Sequence, residues 1–137
     1  MTLVRIRKTI DSKGVRAVMD AAEEAANSAC YRVVMAVVDA GGNLLELRRT
    51  EGAQPASAQV AIDKARTAAI FRRPSRDLEE QVRGGRFGAL ALAGAVPLQG
   101  GIPIAVDGEV VGAIGVSGET PAQDEAVAIA GASALTN

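Results

Sequence analysis

The chain of 137 residues has no histidine and no tryptophan, a single cysteine, one tyrosine and two phenylalanines. Each shortage removes a class of chemistry. Histidine is the commonest general acid–base residue near neutral pH and the commonest transition-metal ligand. Its absence excludes Ser–His and Cys–His nucleophilic pairs, His-ligated zinc and His-ligated haem. With Cys30 alone there is no intrachain disulfide and no CxxC zinc pattern. No metal is therefore expected. A lone cysteine at the end of an alanine-rich helix is expected to be a small buried hydrophobe. No apolar run approaches the length of a membrane span, and MTLVRIRKTIDSK lacks the apolar centre and cleavage site of a secretory signal. Cytoplasmic residence is the default expectation, with no membrane partner. The net charge of −1 leaves no strongly basic face for nucleic acid.

What is present is apolar and small. Hydrophobic residues make up 48% of the chain, with 15 glycines besides. A core of Ala, Val, Ile and Leu packs elements closely, but only its larger members gain roughly 1.5–3 kcal/mol each on burial. The subunit is therefore expected to lean on homo-oligomerisation. The length fits one domain, residues 1–137.

Leu3 to Lys8 alternates apolar and basic residues and reads as a short strand. Asp11 is placed to cap a helix in which Val15, Val18, Met19, Ala22, Ala25, Ala26 and Ala29 recur at three- and four-residue steps. Tyr31 to Asp39 is rich in valine, and the apolar run within it is continuous rather than alternating, as in a strand buried on both faces. Ala40 to Asn43 turns it back into Leu44–Arg49. Ala56 to Phe71 carries Ala58, Ala61, Ile62, Ala65, Ala68 and Ala69 on one side. Pro74 ends that helix, Ser75 is placed to cap a short one through Val82, and Phe87 to Ala93 forms a further turn. Tyr31 is read as a half-buried packing residue.

The most informative stretch is Gly100 to Glu125. Ile102–Val106 and Glu109–Val116 form a hairpin around Asp107-Gly108, a dipeptide suited to a tight turn. Thr120-Pro121-Ala122-Gln123 is a capping box with proline at the first helical position, followed by Asp124 and Glu125 in the first turn. The order of strand, helix, hairpin, helices, hairpin, helix predicts an α/β protein of the α+β kind, a single antiparallel sheet with helices packed on it.

The string GGIPIAVDGEVVGAIGVSGETPAQDEAVAIAG resembles the signature of the GlcG/HbpS family, the haem-degrading domain, and is similar to the C-terminal domain of PduO-type adenosyltransferases. The likeness continues upstream through Val37-Val38-Asp39-Ala40-Gly41-Gly42-Asn43 and Lys64-Ala65-Arg66-Thr67-Ala68-Ala69, and so spans nearly the whole chain. It implies a profilin-like fold and assembly from dimer to octamer. It also implies haem binding or work beside cobalamin enzymes, but haem ligation in that family uses histidine. Haem is therefore not expected here, and the cofactor expectation is none.

Positive charge is concentrated between Asp63 and Arg86, where seven Lys and Arg residues face four acids. These read either as a solvated face with helix salt bridges or as an anion site. The resemblance adds weight to Lys64, Arg66 and Thr67. Gly100, Gly101, Ser117 and Gly118 could leave main-chain N–H groups free beside a helix N-terminus, where anions are attracted. An Arg66 guanidinium facing Gly100-Gly101 would complete a pocket for a small carboxylate. Asp39, Asp124 and Glu125 are the candidate acid–base groups. Two nucleotide patterns fail: GxxGxxG at Gly112–Gly118 is not the dinucleotide fingerprint, and no phosphate loop occurs. Three functions stay open: a binding protein for a small anionic metabolite or cofactor, a cofactor-independent isomerase, tautomerase or hydrolase-like enzyme acting on a small carboxylate in a catabolic pathway, and a pure assembly role.

Overall fold

The computed structural model describes residues 3–136. Helix α1 (Ser12–Ser28) leads into β1 (Val34–Asp39) and β2 (Leu44–Arg49). Helices α2 (Ser57–Phe71) and α3 (Ser75–Arg83) and a 3-10 turn (Phe87–Ala91) follow. The chain closes with β3 (Gly101–Val106), β4 (Glu109–Ser117) and α4 (Pro121–Ala132). One four-stranded sheet has the order β2-β1-β4-β3, antiparallel throughout. This is the α+β arrangement that the element order predicts.

Strand β1 lies inside the sheet and has helices on both faces, which is why its residues are apolar without alternation. Val33, Met35 and Val37 join Val18, Met19 and Ala22 of α1 and Val127 and Ala128 of α4 in one core. Val34, Ala36 and Val38 meet Ala61, Ala65, Ala68 and Ala69 of α2 in the other. Asp11 caps α1 by accepting from the Lys13 and Gly14 N–H groups. The Thr120–Gln123 capping box starts α4 as its sequence predicts. Asp107 and Gly108 both take positive φ, 52° and 77°, in the β3–β4 turn.

Helix α2 comes unusually close to the sheet. Gly101 and Gly115 are cross-strand partners directly beneath it. A Cβ on Gly115 would overlap the Ala61 carbonyl and the Ala65 nitrogen, and one on Gly101 would overlap the Lys64 carbonyl. Two residues without side chains thus face a helix whose own contact face is alanine.

Three local expectations are corrected. Leu3 to Lys8 is not a strand, and Leu3, Val4 and Ile6 are exposed. The arm runs beside Glu109–Val111, beyond the last β1–β4 pair at Gly112, but it makes one backbone bond there, from the Ile10 N–H to the Val111 oxygen at 2.9 Å, and otherwise meets β4 through side chains. Cys30 is exposed, not buried: it follows the end of α1 in the left-handed region (φ 59°), which turns it off the helix's core face. Ser75 opens α3 but does not cap it. Its hydroxyl donates to the Leu98 oxygen and accepts from the Gly101 N–H at 2.8 Å, tying the helix to β3.

Overpacking a tight contact costs roughly 1–3 kcal/mol. Gly115→Ala is therefore expected to lose at least that much stability in urea denaturation. Gly88→Ala, where a Cβ meets nothing within 4 Å, should stay within ~0.5 kcal/mol of the parent.

Candidate functional site

The glycine stretch does not form the open anion pocket expected of it. Gly100 and Gly101 lie against Lys64, and a Cβ on Gly118 would overlap the Arg32 carbonyl. Ser117 is buried, with its hydroxyl 3.2 Å from that of Ser57. The Thr67 hydroxyl is used twice within the fold, donating to the Asp63 oxygen at 2.7 Å and accepting from the Val96 N–H at 2.9 Å. Arg66 does not face Gly100-Gly101. It is exposed, and its stem crosses Gly42 in the β1–β2 turn. The spacing that puts Ala61, Ala65 and Ala68 on the sheet turns Arg66 outward.

Lys64 and Asp124 are brought together, 4% and 2% exposed. The Lys64 ammonium donates to the Val116 oxygen at 3.0 Å and to Asp124 at 3.2 Å. Asp124 also accepts from the Glu119 N–H at 2.9 Å. Burial raises the Asp124 pKa above 3.8, against the opposing pull of the Glu119 N–H and of Lys64. Glu125 is buried beside this pair in sequence but points elsewhere. One of its oxygens accepts from Gln99 at 3.2 Å and lies 3.5 Å from Arg76; the other has no hydrogen-bond partner. These carboxylates hold α4 to its neighbours rather than opening to a substrate.

A recess of about 430 Å³ borders Gly118 beside Cys30, Arg32 and Glu119, and another open space lies at the C-terminal end of α2. A cleft of about 450 Å³ is lined by Arg7, Lys8, Thr9, Asp39, Asn43, Ile70 and Arg72, among others. Asp39 enters it with its carboxylate already engaged. One oxygen accepts from the Gly41 and Asn43 N–H groups, each at 2.9 Å, and the Asn43 amide donates as well. One oxygen is committed to the turn, and the other takes only a 3.3 Å contact from the same Asn43 amide. Lys8 pairs with Asp107 at 3.0 Å, and Arg7 lies 3.8 Å from Glu109. Arg72 makes no side-chain hydrogen bond or ion pair among the described residues. It caps α2 in the left-handed region (φ 56°), a position usually given to glycine. Arg73 precedes Pro74 and is biased away from helical geometry, so the helix must end here.

Sequence reading missed Arg7, Lys8 and Arg72 as neighbours. The only available signals were the basic alternation of the arm and an arginine beyond the last alanine of α2.

Comparison with known proteins agrees with this fold. A family model described as haem-degrading protein HbpS-like matches residues 10–133. The chain belongs to the HbpS-like family. Protein GlcG of Escherichia coli strain K12 is 43% identical over 101 residues, 74% of this chain and 75% of GlcG. A double mutant of Streptomyces reticuli HbpS superposes with a TM-score of 0.90 at 32% identity, covering 98% of this chain and 92% of that one. The crystal structure of a PduOC:haem complex superposes at 0.84 with 26% identity, covering 93% and 96%. Among the described residues of this HbpS-like chain, no three His, Cys, Asp or Glu side chains are grouped to hold a metal ion. No helix is long and apolar enough to cross a membrane.

An acid whose folded pKa is raised stabilises the fold when protonated. That contribution is complete below the ordinary value of 3.8 and is lost as pH rises through the raised folded value. Asp124→Asn keeps an acceptor for the Glu119 N–H but cannot ionise. The stability difference, parent minus variant, should therefore fall as pH rises across that window in denaturant titrations. A pH-independent difference would contradict the assignment.

Proposed function

We propose that this HbpS-like chain is a small-molecule-binding protein that takes an anionic metabolite in the cleft between the N-terminal arm, the β1–β2 turn and the end of α2. The observation that carries the reading is the Arg72 guanidinium, unpaired among the described residues and facing a cleft that Arg7 and Lys8 also line. Lys8 pairs with Asp107 and Arg7 lies 3.8 Å from Glu109, so Arg72 is the lining cation left for a ligand. Ala69 and Ile70 supply apolar wall. A volume of about 450 Å³ falls within the range of small-ligand sites. Binding is favoured over catalysis because Asp39, the one carboxylate that lines the cleft among the described residues, is anchored in the β1–β2 turn by Gly41 and Asn43.

Haem does not fit this reading as a protein-ligated group. Met19 and Met35 are fully buried in the core, Tyr31 packs against that core, and Cys30 sits in a polar surface pocket with Arg32 and Glu119. None presents a ligand to an apolar slot. Self-association belongs to the same proposal: Phe87, Leu90, Leu98 and Ile129 are exposed, apolar and unused within the subunit.

Arg72→Gly is the direct test, because glycine suits the left-handed position. Thermal stability should hold or rise by ~1 kcal/mol, since the left-handed strain is relieved. Binding of the five-carbon carboxylates glutarate and pentanoate, followed by calorimetry, should weaken about tenfold or more, as for loss of a charged hydrogen bond of ~1.5–3 kcal/mol. Haem titration should give no saturating Soret shift. Unchanged carboxylate affinity in a stable Arg72→Gly protein would overturn the proposal.

A further inference from the structure

The basic cleft is not closed at its far side. A second recess, of about 270 Å³, is lined by Arg5, Ile6, Arg7, Arg72 and Glu109. Arg7 and Arg72 belong to both recesses, so the two share a wall and form one groove along the arm. The chambers differ in what they offer. The first has Arg72 as its unpaired cation and apolar wall from Ala69 and Ile70, while Lys8, Thr9 and Asn43 donate to Asp107, the Val111 oxygen and Asp39. The second has Arg5, which makes no side-chain hydrogen bond or ion pair among the described residues. Glu109 is the one acid of the second chamber, and it is engaged: it accepts from the Lys8 N–H at 2.9 Å and lies 3.8 Å from Arg7. Lys8 is paired with Asp107 at 3.0 Å, so the groove keeps two guanidiniums without partners among the described residues, Arg72 and Arg5. A ligand with one anionic group satisfies one end and leaves the other solvated.

We infer, building on the proposed anion site, that the groove is matched to an elongated dianion. One anionic group meets Arg72, the other reaches Arg5, and Arg7 lies between them. The chemical class is a short-chain molecule with two separated acidic groups, either a dicarboxylate or a phosphorylated carboxylate. Arginine suits both, because its planar fork grips carboxylate and phosphate oxygens alike. The two guanidiniums without partners sit in different places: Arg72 at a helix end and Arg5 on the N-terminal arm.

Glutarate and pentanoate have the same carbon count and differ by one carboxylate, so comparing them isolates the second group. Calorimetric titration of the intact protein should give glutarate a threefold to tenfold tighter Kd, on the order of one extra exposed charge pair. That advantage should shrink as salt screens it. Arg5→Gln should remove the advantage while leaving pentanoate affinity unchanged; Arg5 is exposed and unpaired, so its loss spares the fold. Glycerol 3-phosphate, which carries its double charge on one group, separates total charge from charge at two ends and should gain less than glutarate. Equal affinity for glutarate and pentanoate would overturn the dianion inference and leave the anion site standing. Binding of neither would remove both. A glutarate advantage that survives Arg5→Gln would overturn the assignment of the second group to Arg5.

Discussion

The close seating of α2 on the sheet is the constraint from which the other features follow. Gly101 and Gly115 are paired across β3 and β4, and both lie beneath a helix face of Ala61, Ala65 and Ala68. Side chains at those positions would hold the helix off the sheet. Their absence lets the backbone of α2 rest on the strands and carries the Lys64 ammonium to the Val116 carbonyl and Asp124. A buried pair of this kind contributes little net stability, but removing one partner leaves the other charge without compensation. It locks α2, β4 and the start of α4 in one register.

That same closeness decides where a ligand can go. The glycine-rich stretch would be an anion cradle if α2 stood away from it, but here α2 occupies the cradle itself. An open surface lies at the C-terminal end of α2. There the helix stops before Arg73-Pro74, Arg72 turns into the left-handed region, and the β1–β2 turn and N-terminal arm form the other walls. Asp39 shapes this site, with one carboxylate oxygen committed to Gly41 and Asn43. The fold thus separates a sealed, charge-paired interior from an outer groove whose cations have too few internal partners.

Much of the architecture was legible in the sequence because its signals are local. The alanine face of α2, the Thr120–Gln123 capping box, the Asp107-Gly108 turn and the unbroken apolar run of β1 each specify one element. The site was less legible because its parts are distant in sequence: Arg7, Asn43 and Arg72 meet only after the sheet has formed. Glycine spacing gave a misleading signal. A glycine that frees main-chain N–H groups and a glycine that admits a neighbouring helix look the same in one dimension. Arg66 was misplaced for a related reason, since its orientation depends on which side of α2 meets the sheet. The arm shows the same limit: Leu3 to Lys8 has the alternation of a strand, but the arm makes a single backbone bond to β4, through Ile10.

The sharpest test of the account is a map of backbone amide shifts by NMR as glutarate is added to the intact protein. The account predicts that the perturbed amides cluster at Arg7, Lys8, Thr9, Asn43 and Arg72, with Gly101, Ser117 and Gly118 unmoved. Saturating shifts centred on Gly100, Gly101, Ser117 and Gly118, with a silent arm, would contradict it.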